Sequence, residues 1–201
     1  MDISSVKEVV SVRRLSDVSR LVSNPRTFLK ARVGSGDSGL LHGAGTYLYM
    51  VGVGLVFLYP ALALSGESLS TPIPFALSTI VFVFVAAFVA YCACWIVRAD
   101  ATYRAVLEVF LYTQGISFVI AVLALCVLVA GIDNGFDQWR VAFGFLALMA
   151  VTWRVAVWWA LSSVVGMRAG RAVLSFMLFS FMYIPVMYTF MALSTVVGRA
   201  A

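Results

Sequence analysis

Five stretches of this chain stay apolar for longer than a soluble helix or strand requires: roughly 46–65, 73–97, 104–131, 140–165 and 171–197. Crossing a hydrocarbon layer about 30 Å thick takes about 20 such residues in a helix, and each stretch meets or exceeds that length. In lipid a span must satisfy its own backbone N–H and C=O groups, and runs of this length do so as helices. Composition points the same way. The 201 residues are 63% hydrophobic and 11% charged, whereas a soluble domain has roughly 45–50% and about 25%. The turns between stretches are too short to be domains. The expected fold is all-α: one polytopic membrane bundle of five transmembrane helices over 44–201. A short amphipathic helical arm over 1–33 and a Gly/Ser-rich joint over 34–43 come before it.

The arm is basic, carrying Arg13, Arg14, Arg20, Arg26, Lys30 and Arg32. Ile3, Val6 and Val10 are spaced for one helical face, and Leu15, Val18 and Val22 for another. Asn24 followed by Pro25 predicts a helix start, a capping side chain and then a proline in the first turn. Such a segment suits the surface of a membrane with anionic headgroups, or a solvated juxtamembrane position. Seven of the fourteen Lys and Arg precede residue 43, beside the first apolar run. That concentration accounts for the +5 net charge without nucleic acid as a partner.

Basic residues also set the expected orientation. They mark the arm, the 98–104 turn through Arg98 and Arg104, and the 166–171 turn through Arg168 and Arg171. The intervening loops carry Glu67, and Asp133 with Asp137, with Arg140 as the one exception. The N-terminus is expected in the cytoplasm and the C-terminus across the membrane, the cell or inner membrane if the source is prokaryotic. Trp95, Trp158 and Trp159 are expected as anchors at the inner boundary, Trp139 at the outer. No short apolar run with a cleavage site precedes the first long stretch, so no removable signal peptide is expected.

Arg154 sits inside the fourth stretch, where a charge costs about 2.5 to 3.5 kcal/mol unless it is answered. At ~1.5 Å per residue it lies about 16 Å from the inner end, Gln114 about 15 Å and Glu108 about 6 Å. Helices three and four are antiparallel neighbours, so Arg154 is expected to meet Gln114, Glu108 or both, leaning toward the inner face if needed. The three groups form either a polar clasp between two helices or the lining of a solute pathway. Three groups are few for a relay, which favours the clasp. Pro60 and Pro185 allow broken transporter helices, yet proline in a span usually makes only a kink. Gly52, Gly54, Ala86, Ala87, Ala90, Gly144, Ala147 and Ala150 are expected as small residues for close helix packing.

Soluble-type chemistry finds no foothold. Cys92, Cys94 and Cys126 lie within apolar runs, and Cys92 and Cys94, two apart, point to different sides of a helix. His42 falls in the joint with no partner nearby in sequence. Ser162, Ser163 and Ser175 have no adjacent base, and no nucleotide, zinc or nucleophile motif occurs. No catalytic residue, metal site or cofactor is expected.

Several segments resemble a known family. Asn24-Pro25-Arg26-Thr27-Phe28 is similar to the Asn-Pro-x-x-Phe lead-in of the Yip-domain (Ypt-interacting protein) family. The start of helix three, Ala105-Val106-Leu107-Glu108-Val109, also resembles it, as do Trp158 through Val165-Gly166-Met167-Arg168 and Arg171-Ala172-Val173. The resemblance implies five helices with a cytosolic N-terminus. Eukaryotic members act in vesicle traffic with Rab-type GTPases, but the short arm here lacks their long acidic and aromatic region. The compact Ala- and Val-rich chain looks more like a prokaryotic member. The expected function is therefore non-enzymatic: organising lipids, or a protein partner met through the arm, with homo-oligomers allowed. The rival is a small oligomeric transporter or channel using Glu108, Gln114 and Arg154.

Overall fold

The computed structural model describes residues 12–33, 37–64, 72–134 and 136–200, and these are helical apart from short turns. Two short helices, α1 (Val12–Ser23) and α2 (Pro25–Arg32), precede five long ones. These are α3 (Asp37–Leu64), α4 (Pro72–Ile96), α5 (Tyr103–Asn134), α6 (Phe136–Val164) and α7 (Ala169–Ala200). All five are long and apolar enough to cross a bilayer, which makes this an all-helical integral membrane protein. Ile3, Val6, Val10, residues 34–36 and the loop carrying Glu67 lie outside the described residues, as do the side chains of Arg13, Asp133 and Asp137. The first long helix begins at Asp37, so its opening turns occupy much of the stretch expected as a joint.

The bundle is built around α5, which packs against α3, α6 and α4. Eight consecutive α5 residues, Val106 to Thr113, are buried; a helix enclosed on every side in this way has no polar face to show. Its neighbour α7 lies mainly along α4 and touches α6 only lightly. Because apolar burial adds little between helices already in lipid, contact depends on close approach. Glycines provide it between α3 and α5, Gly43 against Leu111 and two more deeper in the bundle. Gly54 lies against the Phe118 ring, and a Cβ at Gly115 would stand 2.7 Å from Met50 Cβ. Ala86, Ala87 and Ala90 are buried in the same role on α4. Gly52 and Gly144 have open space where a Cβ would be, so neither is a packing glycine.

At one end of the bundle lie both tight turns and the two short helices; Arg98, Arg104, Arg168 and Arg171 make it the basic end. Both turns end their helices with a residue in the left-handed region, Arg98 at φ 56° and Gly166 at φ 68°. In each, an amide bonds back to a carbonyl five residues earlier: Ala99 N to Cys94 O at 3.0 Å and Met167 N to Ser162 O at 2.8 Å. This closure satisfies carbonyls that a helix end would otherwise leave open. Arg171 Nη1 donates to Arg98 O at 3.2 Å and ties the turns together.

Trp95 and Trp159 are exposed near this end, as boundary anchors would be. Trp158 is not an anchor. It is buried, and its Nε1 donates to Ala172 O at 3.0 Å and Ser175 Oγ at 3.1 Å on α7. Periodicity alone could not choose between the adjacent tryptophans, whose side chains leave the helix about 100° apart.

Candidate functional site

The arm folds under the basic end. Asn24 Oδ1 accepts from Thr27 N at 3.2 Å, which starts α2 at Pro25. Phe28 and Leu29 on that helix are buried. The Phe28 ring meets Tyr112 of α5 edge-on at 5.5 Å, and α2 rests against α6. On α1 the buried residues are Asp17 and Leu21, one turn apart, while Leu15 and Val22 are exposed. Of the Leu15–Val18–Val22 face, only Val18 packs partly against the core, and Leu15 and Val22 stay open. An acidic residue governs the contact instead. Asp17, 4% exposed, accepts from Arg32 Nη2 at 3.4 Å and from His42 Nε2 at 3.0 Å. His42, expected without a partner, thus joins α3 to α1, and Asp17 joins both to α2. The Arg14 guanidinium lies against Gly45 of α3 in a space that a Cβ would fill.

Directly above this junction is Glu108, fully buried, whose Oε1 accepts from Arg104 Nε at 3.3 Å one turn earlier on α5. Arg104 is about half exposed, but Glu108 is buried and would be costly to leave unpaired, so Glu108 is committed to the basic end. Arg14, Asp17, Arg32 and Glu108 all lie near enough to Tyr112 to interact electrostatically with it. Tyr112 donates its hydroxyl to Gly39 O at 3.4 Å.

Deeper in the bundle, Arg154 and Gln114 line one cavity with Thr113, Ser117, Phe110, Phe179 and neighbouring residues. The Arg154 guanidinium stands over the Tyr183 ring at 4.3 Å. Tyr183 is fourteen residues beyond the start of α7, about 21 Å along it, whereas Arg154 is about 15 Å from the end of α6. The side chain therefore does not lean toward the basic end, and Glu108 is not its partner. Of the three expected groups, Gln114 and Arg154 are brought together and Glu108 is held apart. A helix side chain points back toward its own N-terminus, and α6 runs toward the basic end, which carries Arg154 the other way.

No family model, curated protein or solved structure matches the chain. What it can do is read from the two polar centres alone. Among the described residues, no group of three His, Cys, Asp or Glu could hold a metal ion. The cavity beside Gln114 and Arg154 is about 20 Å³, room for about one water. The arm instead presents a formed surface: Arg20, Arg26 and Lys30 are exposed on helices whose other faces are docked, with Arg168 exposed nearby at the α6–α7 turn. Sequence reading passed over Asp17, Tyr112 and Tyr183. A lone acid within a basic helix was the one available signal for Asp17. Nothing along the chain marks Tyr183 as the face that receives Arg154.

Proposed function

We infer that this chain is a non-enzymatic organiser of the membrane, of the Yip-domain type that its Asn24-Pro25-Arg26-Thr27-Phe28 segment resembles. It recruits anionic lipid headgroups or a protein partner at the cytoplasmic surface. One observation carries the reading: the arm is docked through Asp17, Phe28 and Leu29, so its cations form a fixed platform rather than a loose tether. A platform ordered beforehand loses less conformational entropy on binding. Orientation with the N-terminus in the cytoplasm places it against the leaflet richest in anionic lipid. The transport reading has less support, because Glu108 pairs with Arg104 away from Arg154, and the cavity at Gln114 has room for about one water.

The test compares full-length protein with a variant carrying Arg20→Glu, Arg26→Glu and Lys30→Glu, each crosslinked in its native membrane. A constant partner protein or anionic lipid should be captured by the first and lost from the second. Equal capture by both would overturn the reading. So would solute flux through liposomes abolished by Arg154→Gln.

A further inference from the structure

Arg154 occupies a position that no carboxylate among the described residues answers. Among the described residues none pairs with it, and Tyr183 offers a ring face, which attracts a cation but does not neutralise it. None of the chain's nine acidic residues falls at the middle of an apolar stretch, so a second copy could not supply the missing charge at that depth. Arg154 is nonetheless an exposed residue on the outer surface of the bundle, which in a membrane faces lipid. A guanidinium left there unanswered is costly.

The surroundings indicate what answers it. On one side Arg154 borders the small cavity with the polar groups of Gln114, Thr113 and Ser117. On the other, the same Arg154 and Ser117 close one end of an apolar slot of about 180 Å³ between α5 and α6. Alanines floor that slot: Ala121 and Ala124 on α5, Ala147 and Ala150 on α6. Small residues normally let helices touch, but here the two helices leave a gap. A cation with hydrogen-bonding neighbours at one end of an apolar channel is complementary to an amphiphile with an anionic head and one narrow tail.

We propose that the groove between α5 and α6 binds a single-tailed fatty carboxylate. The head pairs with Arg154 beside Gln114 and Ser117, and the tail lies along the alanine-floored slot. A planar guanidinium forks two hydrogen bonds onto a carboxylate. A monovalent head is also cheaper to carry to this depth than a phosphate dianion. Two-tailed lipids keep their heads at the interface, about 15 Å away along α6, and so are not the occupant. The ligand enters sideways from the bilayer, through the same open face that exposes Arg154. The inference stands apart from the partner of the arm.

The experiment uses the full chain in phosphatidylcholine nanodiscs with an oleate analogue bearing a photoreactive diazirine in its tail. Saturable labelling is expected at residues 120–124 and 146–150. Unlabelled oleate should compete at least about tenfold better than methyl oleate, which has the tail without the charge. Arg154→Gln should weaken labelling by a similar factor and Arg154→Lys by less, while Ala147→Phe should fill the slot and abolish it. Equal competition by the ester, labelling spread evenly over the lipid-facing helices, or stronger competition by dodecyl phosphate would each overturn the proposal. The ester comparison needs no variant, so a misfolded Arg154→Gln could not rescue it. Failure here leaves the capture experiment at the arm unaffected.

Discussion

Single residues decide how α6 meets its neighbours. Trp153 Nε1 donates to the Thr113 carbonyl of α5 at 3.3 Å, and Trp158 Nε1 donates to Ala172 and Ser175 of α7. With no water in the bilayer core, an indole N–H turned inward needs a protein acceptor. The second contact matters most, because α6 and α7 otherwise touch only lightly. Trp158→Phe keeps the ring that stacks on Phe179 at 4.7 Å but removes the donor. It should cost about 1 kcal/mol, read as a lower midpoint of thermal unfolding in detergent micelles. Trp159→Phe, on the exposed side, should leave the midpoint unchanged.

At the scale of elements, α1 and α2 are too short to be stable alone. Isolated helices below about 12–15 residues are marginal in water, and these have 12 and 8. Their order comes from docking, and the docking is polar as well as apolar. Asp17 brings together a cation from α2 and an imidazole from α3. Arg32 is partly exposed, so solvent weakens its share, and the shorter His42 contact carries more. Asp17→Ala should loosen the arm by about 1–2 kcal/mol. Amide deuterium exchange over residues 12–32 should then rise while that of α5 stays slow. Unchanged exchange in the arm would show that Phe28 and Leu29 hold it unaided.

For the whole molecule, the proposed orientation has five crossings and puts the two termini on opposite faces. Orientation follows from where the Lys and Arg cluster, and the folded chain gathers these at one end through the arm and both turns. A membrane-impermeant thiol reagent added to intact cells should label a cysteine placed after Ala201 but not one placed at Ser19. The native Cys92, Cys94 and Cys126 would be replaced beforehand. Labelling of both sites, or of neither, would remove the assignment of the arm to the cytoplasm and the platform reading with it.

Much of this architecture was legible along the chain, for a physical reason: length and hydropathy report the solvent, and the solvent dictates helices that span it. The five spans, the Asn24 cap and the basic character of the two turns all follow from local patterns. On α1, spacing identifies which residues share a side, not which side meets protein. Leu15 and Val22 form a sound apolar stripe, yet the bundle took Asp17 and Leu21. The need of Arg154 for company was equally readable, since it arises from charge and depth alone. Its actual surroundings, Tyr183 on one side and an alanine-floored slot on the other, depend on how three helices lean together. Side-chain periodicity holds within a helix, whereas the gaps between helices exist only once they have packed.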